Sequence, residues 1–205
     1  MIIMDKTKAV LAHFRKTDPV MFSMAKNTGI IPVQPQKPSQ YFYSLCYAII
    51  GQQLSGSAAK SIFTRFENLF PGGKITPERA AKLKEKSIRE IGTSWAKARY
   101  IIDLGQKVSN GDLNLKTVAK MKNAEAIEAL TRVKGVGPWT AEMFLMFTMG
   151  REDIFSHGDL GLRKAIIKNY SLKSPSKEKI ERISAKWSPY RTYACRTLWK
   201  SLDSS

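Results

Sequence analysis

The chain has 205 residues, 43% of them hydrophobic and 25% charged, which is the composition of a folded globular protein and excludes disorder throughout. No apolar run is as long as a membrane span, and Met1 to Lys8 lack the apolar core of a signal peptide, so we expect an intracellular protein. Lys and Arg number 34 against 17 Asp and Glu, a net charge of +17 that favours a polyanionic partner, with a basic surface lacking such a partner as the alternative.

Helical signals follow one another along the chain, and no sustained polar–apolar alternation predicts a strand. Capping residues stand directly before a proline, a pair typical of a helix N-terminus, at Asp18-Pro19, Thr76-Pro77, Ser174-Pro175 and Ser188-Pro189. Three prolines predict an extended connector over residues 29–39. Apolar stripes or caps predict helices over residues 42–50, 59–70, 77–85, 94–109, 124–132, 138–149, 160–170, 175–187 and 189–202.

We therefore expect an all-α protein built as two helical lobes. One lobe comprises about residues 41–130, up to the start of a helical hairpin, and the other combines residues 1–40 with residues 131–205. A cleft between the lobes is the default ligand site. Cys46 and Cys195 lie in apolar helical patterns and are expected to be buried, reduced thiols. Two cysteines are too few for an iron–sulfur cluster or an all-cysteine zinc site.

The most informative segment is LTRVKGVGPWTA, residues 130–141. One helix ends there, the chain turns through Gly135-Val136-Gly137, and Pro138 begins the next helix. The two glycines allow positive φ and a close ligand, and the N–H groups that open the new helix form an anion site. That anion would be a nucleic-acid phosphate, held without reading any base. A plain corner between two helices is the alternative, but GVGPWTA together with the charge excess favours binding of a nucleic-acid backbone.

Four strings together resemble the helix–hairpin–helix DNA glycosylases: YAIIGQQLSGSAAK, LTRVKGVGPWTAEMF, DIFSHGDLGLRKAI and WSPYRTYACRTLW. Within this family the chain is most similar to the alkylpurine branch, the bacterial 3-methyladenine DNA glycosylase II and yeast Mag type. The resemblance covers about residues 41–199. It implies a two-lobed helical fold, double-stranded DNA with alkylated bases as the partner, and action as a monomer. The N-terminal β domain of the larger bacterial members is not expected.

The resemblance places the family's catalytic aspartate on Asp159, in the string GDLGLRK. Breaking the bond between a purine and its sugar develops positive charge on the sugar, and a fixed carboxylate stabilises that charge without reorganising. The same carboxylate could orient or deprotonate the attacking water. A purely structural cap of the helix that starts at Leu160 is the alternative, and one aspartate can serve both purposes.

Trp139 and Trp199 match the family's two pocket tryptophans, whose electron-rich faces suit a flipped, positively charged alkylpurine. For either tryptophan alone, burial in the core is the alternative. Trp139 also stands where strand-cutting members carry a nucleophilic lysine, so we expect base hydrolysis without lyase activity. Met143 replaces a tyrosine of the large bacterial enzyme and makes the pocket less aromatic.

A flipped base leaves a gap in the duplex, which a wedge residue fills. The resemblance puts this wedge at Gln53, although the adjacent Leu54 is the better apolar plug, and the two stay open. The resemblance implies phosphate contacts from Gly135, Val136, Gly137 and Thr140. It also implies a monovalent cation, the one cofactor expected, on the backbone carbonyls of Thr131, Val133 and Val136.

Two other functions stay open. Gly158, in place of an acidic neighbour, and Met143 would suit a non-catalytic helix–hairpin–helix protein that recognises damaged DNA. A glycosylase for etheno or deaminated purines, or a bifunctional lyase, is the other alternative. We expect His157 on a solvent-facing loop, with a contact to DNA or substrate as the alternative. The expected place of action is the cytoplasm or nucleoid of a prokaryote, or the nucleus of a eukaryote.

Overall fold

A computed structural model describes residues 2–203, which form α-helices joined by turns and contain no β-strand. This confirms the all-α prediction. In chain order the helices are α1 (Ile2–Thr17), α2 (Pro19–Thr28), α3 (Tyr41–Gly51), α4 (Gly56–Glu67), α5 (Pro77–Ala80), α6 (Glu85–Glu90), α7 (Trp95–Ser109), α8 (Leu115–Val118), α9 (Asn123–Thr131), α10 (Pro138–Phe147), α11 (Leu160–Asn169), α12 (Lys177–Ala185) and α13 (Arg191–Asp203). None of these helices is long and apolar enough to cross a membrane.

Two of the four predicted helix starts are confirmed. Asp18 caps α2 by accepting the backbone N–H groups of Val20 and Met21 at 3.1 Å, and Thr76 caps α5. In both helices the proline occupies the first turn, where it costs no hydrogen bond.

The starts predicted at Ser174-Pro175 and Ser188-Pro189 are wrong. Ser174 has a left-handed φ of 43° instead of the extended backbone of a cap, and Ser176 caps α12. The Ser188 hydroxyl donates to Asp153 Oδ2 at 2.8 Å, and α13 begins only at Arg191.

The single helix predicted over residues 77–85 is also wrong. Helix α5 ends at Ala80, and a turn separates it from α6, which begins at Glu85. The end of α5 packs directly on α7 at Gly105. A Cβ at Gly105 would lie 2.6 Å from the backbone nitrogen of Ala81. The extended connector predicted over residues 29–39 is confirmed over residues 29–37, which contain no helix, whereas Pro38–Gln40 form a short 3-10 helix.

The chain divides into two compact units, a central unit of residues 36–144 and a flanking unit of residues 1–35 and 145–205. This division differs from the expected lobes, which grouped residues 131–144 with the C-terminal helices. These residues pack within the central unit because Gln52 Nε2 donates to the Gly135 carbonyl at 2.8 Å. In addition, the ring of Tyr41 packs edge-on against Phe144. Residues 1, 204 and 205 of the expected lobes lie outside the described residues.

The core of the central unit is built on α3, which packs against α4 and α7. The apolar stripe predicted for this helix is confirmed: Leu45, Cys46, Ile49 and Ile50 are fully buried. Helix α7 in turn packs against α5 and α6. The central unit thereby places the end of α3 beside the start of α7, as the contacts described below show.

The flanking unit packs α1 against α2, and α13 against α2 and α11. Its polar centre is the buried Asp18 carboxylate, whose Oδ2 accepts the indole N–H of Trp187 at 2.9 Å and the hydroxyl of Tyr170 at 2.7 Å. Burial and this hydrogen bond raise the pKa of Tyr170 above its ordinary value. Cys195 and, in the other unit, Cys46 are buried and take part in no disulfide, which confirms both as buried thiols.

Candidate active site

The hairpin of the central unit consists of the end of α9, a turn over residues 132–137, and the start of α10. Gly135 has a φ of +79°, whereas Gly137 is outside the left-handed region, so the turn needs positive φ at only one of its glycines. A Cβ at Gly135 would lie 2.0 Å from the ring of Tyr100, whereas a Cβ at Gly137 would meet nothing within 4 Å. Gly135 therefore permits internal packing, and Gly137 is the glycine that leaves room for a ligand.

The predicted phosphate-binding residues can act mainly through their backbone. Val136 and Thr140 are buried, and the Thr140 hydroxyl accepts Gln52 Nε2 at 3.1 Å. Their side chains are consequently turned into the protein. The first turn of α10 still supplies the N–H groups that a helix does not use internally, next to the exposed Gly137.

The predicted cation ligands lie along the same turn. The Val133 carbonyl accepts the Val136 N–H at 3.0 Å, which leaves a second lone pair on the Val133 oxygen. The Thr131 hydroxyl donates to the Glu128 carbonyl at 2.9 Å and caps the last turn of α9. Neutral carbonyl oxygens of this kind fit a weakly held monovalent cation. Among the described residues no group of three His, Cys, Asp or Glu side chains could hold a metal ion.

Gln53 and Leu54, the two wedge candidates, are both exposed in the turn that follows α3. Leu54 is 38% exposed, and its N–H closes the turn onto the Gly51 carbonyl at 3.1 Å. Gln53 has a left-handed φ of 59°, which is strained for a residue with a side chain. Both side chains are thus exposed to solvent, as a wedge residue has to be.

Two residues that the sequence did not single out hold this turn. Gln52 donates through its amide to the Gly135 carbonyl and to the Thr140 hydroxyl, as described above. Lys97 donates through its ammonium to the Ile50 carbonyl at 2.9 Å and to the Gln52 carbonyl at 2.6 Å. Partial burial lowers the pKa of Lys97. No local pattern distinguishes this lysine from the many surface lysines of the chain.

In the flanking unit, Asp159 caps α11. Its Oδ1 accepts the N–H of Leu162 at 2.8 Å and the indole N–H of Trp199 at 3.1 Å. A Cβ at Gly161 would lie 3.1 Å from the same oxygen and 3.4 Å from the Trp199 ring, so a glycine allows this close arrangement. The structure therefore fixes a carboxylate at a helix N-terminus beside an aromatic ring. The cap and a chemical role are compatible.

Trp199 also belongs to an aromatic group that includes Phe147. The two ring centroids are 5.8 Å apart with an interplanar angle of 32°, and the Arg196 guanidinium lies 5.5 Å from the Phe147 centroid. Phe147 is 42% exposed. It was not predicted as a site residue, because its helix offers several large apolar residues and only the folded chain shows which one lies at Trp199.

Trp139 and Met143 lie one turn apart on α10, which places them on the same side of that helix. Trp139 is 47% exposed, so the alternative that it is a core residue is wrong. Met143 is half-buried. Helix α10 therefore carries an indole available to a ligand and a polarisable thioether next to it.

His157 lies on the exposed loop that precedes Asp159, as expected. Its ring packs edge-on against Phe155 with the centroids 4.7 Å apart. Partial desolvation lowers the pKa of His157, which favours the neutral ring at pH 7. The adjacent Gly158 is exposed, and a Cβ there would meet nothing within 4 Å.

Comparison with known proteins gives a consistent result. Residues 46–189 match the HhH-GPD superfamily of base excision DNA repair proteins. The chain is 31% identical over 204 residues to DNA-3-methyladenine glycosylase 1 of Schizosaccharomyces pombe, an alignment that covers 98% of this chain and 89% of that protein.

Solved structures agree with the sequence relatives. The crystal structure of the DNA-3-methyladenine glycosidase of Bacillus halodurans has a TM-score of 0.81 and 34% identity, covering 92% of this chain and 86% of that chain. The 3-methyladenine DNA glycosylase of Schizosaccharomyces pombe, in complex with abasic DNA, has a TM-score of 0.81 and 29% identity, covering 95% of this chain and 97% of that chain.

Proposed function

The chain belongs to the HhH-GPD superfamily of base excision DNA repair proteins, and we propose that it is a DNA glycosylase that removes alkylated purines, such as 3-methyladenine and 7-methylguanine. The family resemblance drawn from the hairpin motif is thereby confirmed. The observation that carries the proposal is the Asp159 carboxylate, which a helix N–H and an indole N–H hold in one position.

Asp159 would act on the sugar. When the N-glycosidic bond breaks, its electron pair leaves with the base, and the sugar ring becomes positively charged. A carboxylate that is already fixed stabilises this charge without a reorganisation cost. Water then adds to the sugar carbon and loses a proton, for which the same carboxylate is a suitable acceptor. The products are the free base and an abasic site.

The aromatic residues would recognise the base. Alkylation at N3 or N7 gives a purine a positive charge, and an indole attracts a cation over its face. Trp139 is exposed on α10, and Trp199 lies beside the carboxylate, so each offers a ring for this purpose. Met143 adds a polarisable but non-aromatic neighbour, which favours a broad choice of alkylated purines.

The hairpin would hold the DNA strand. Gly135, Gly137 and Thr140 would bind a phosphate through backbone N–H groups, while Val136, whose N–H donates to the Val133 carbonyl, would line the same site. The carbonyls of Thr131, Val133 and Val136 would hold a monovalent cation, whose positive charge would favour the phosphate. Gln53 or Leu54 would enter the duplex where the base has left. We expect the protein to act as a monomer, in the nucleoid of a prokaryote or the nucleus of a eukaryote.

Trp139 also bears on the type of reaction. An indole nitrogen is no nucleophile towards a sugar, whereas a lysine at this position would form a Schiff base. The enzyme is therefore monofunctional and leaves the strand intact. Borohydride should trap no covalent adduct between the enzyme and damaged DNA, and a trapped adduct would overturn this assignment.

The proposal is tested by a base-release assay on duplexes that each contain one damaged purine: 3-methyladenine, 7-methylguanine, ethenoadenine or hypoxanthine. We expect release of the two methylated purines. If only ethenoadenine or hypoxanthine were released, the enzyme would be a glycosylase for that damaged purine and not for methylated purines. Binding to every duplex without release of any base would instead support the non-catalytic alternative, for which Gly158 and Met143 were considered.

A further inference from the structure

The turn that carries Gln53 and Leu54 is bonded to the phosphate-binding hairpin, although the two are far apart in the chain. The amide of Gln52 spans 83 residues to donate to the Gly135 carbonyl at 2.8 Å, and it also reaches the Thr140 hydroxyl at 3.1 Å. Because both partners accept, the amide nitrogen must face them. One side chain thus connects the residue before the wedge to both sides of the hairpin turn.

Helix α7 supports the same two segments from one side. Near its start, Lys97 donates to the carbonyls of Ile50 and Gln52, which end α3. A positive charge at the C-terminal end of a helix is favourable, because the last carbonyls lack partners within the helix.

One turn further along α7, the ring of Tyr100 fills the space that a side chain at Gly135 would need. Another turn on, Asp103 Oδ2 accepts the backbone N–H of Lys134 at 3.0 Å. Lys97 therefore fixes the wedge turn, while Tyr100 and Asp103 fix the hairpin, all from one rigid helix.

We infer that Gln52 and Lys97 are positioning residues for base flipping, which hold the wedge turn at a set distance from the strand that the hairpin grips. The inference rests on the proposed function of the hairpin and the wedge. A wedge helps to extrude a base only if it enters the duplex at the step that the bound phosphates define. The strained backbone of Gln53 needs support from its neighbours to stay in this position.

The inference is tested by separating base flipping from base release. One duplex carries 7-methylguanine opposite cytosine, and a second carries it opposite an abasic site, where no base pair has to be broken. The variants are Gln52→Leu, which removes both donated hydrogen bonds, and Lys97→Met, which removes the ammonium and keeps the chain length. The control is Tyr43→Phe, which removes a hydrogen bond to Glu67 in the same unit, away from both segments.

On the paired duplex we expect both variants to release the base about tenfold more slowly than the parent protein, as lost hydrogen bonds of this kind imply. On the unpaired duplex their rates should lie within about twofold of the parent rate, because flipping there costs little. The control should match the parent protein on both duplexes.

The inference would be overturned if the variants released the base equally more slowly from both duplexes, or at the parent rate from both. If Gln52→Leu does not fold, the rates of Lys97→Met decide between these outcomes. If the parent protein released no base from either duplex, the proposed function would be wrong instead.

Discussion

At the scale of single residues, the proposed chemistry depends on how one carboxylate is held. Asp159 uses the same oxygen to cap α11 and to accept the indole N–H of Trp199. The two donors come from different parts of the flanking unit, so the carboxylate cannot rotate without losing one of them. In the proposed mechanism Trp199 would therefore serve both as an aromatic surface for a base and as a support for the carboxylate.

Replacing Trp199 by phenylalanine separates these two roles, because phenylalanine keeps a ring and loses the N–H. We expect Trp199→Phe to lower the rate of base release about tenfold while DNA binding is retained, since the loss of one hydrogen bond leaves the carboxylate less well oriented. Single-turnover kinetics measure the rate. Trp95→Phe, at an exposed tryptophan of the central unit, is the matched control. Wild-type kinetics for Trp199→Phe would mean that the indole N–H contributes nothing.

Residue roles could be predicted from the sequence only where a motif carries them. Asp159, Trp139 and Trp199 stand in strings that resemble a family, and their local settings agree with the roles proposed for them. Gln52 and Lys97 could not be predicted, because their partners lie 83 and 45 residues away or more along the chain. Such contacts follow from packing, which local sequence does not specify.

At the scale of elements, the hairpin turn contains two glycines that occur in one motif but are needed for different physical reasons. Gly135 has a positive φ and faces the ring of Tyr100, whereas Gly137 has neither feature and is exposed. The first is required by the fold, and the second leaves the approach to the helix N-terminus open.

The pair Gly135→Ala and Gly137→Ala tests this difference. We expect Gly135→Ala to lower the free energy of unfolding by about 2 kcal/mol or more, because of backbone strain and the clash with Tyr100. Gly137→Ala should change that free energy by less than about 0.5 kcal/mol and weaken DNA binding, since its methyl group enters the space of the phosphate. Thermal unfolding and a binding titration measure the two effects. Two variants with the same profile would contradict the assignment.

Two helix starts were predictable from a local cap, and one was displaced by a tertiary partner. Asp18 and Thr76 bond to N–H groups two or three residues away, and both starts were predicted. Ser188 follows the same pattern but donates to Asp153, 35 residues away. A distant partner thus overrides a local signal, and α13 starts later than the sequence indicates.

At the scale of the whole molecule, a net charge of +17 on 205 residues favours association with DNA of any sequence. Lys and Arg neutralise phosphates and release their counterions, so the affinity must fall with added salt. Between about 50 mM and about 200 mM salt, we expect the affinity for an undamaged duplex to fall at least about tenfold. A fluorescence anisotropy titration measures it. An affinity independent of salt would contradict the prediction that the excess of Lys and Arg binds DNA phosphates.

The fold class could be predicted from helical periodicity and from the absence of alternation, and the family from the hairpin strings. The residues at which the two units begin and end could not be predicted. Residues 131–144 belong with the central unit because Gln52, Tyr41 and Tyr100 contact them, and none of these contacts has a local signature. Periodicity predicts which face of a helix is buried, but not against which other helix.

The central claim is that the Asp159 carboxylate stabilises the charged sugar, and Asp159→Asn tests it most directly. Asparagine keeps an oxygen that can cap α11 and accept the Trp199 N–H, and it removes only the negative charge. We predict that Asp159→Asn binds damaged DNA and unfolds as the parent protein does, while its single-turnover release of 7-methylguanine is at least about a hundredfold slower. Release at the parent rate would contradict the account.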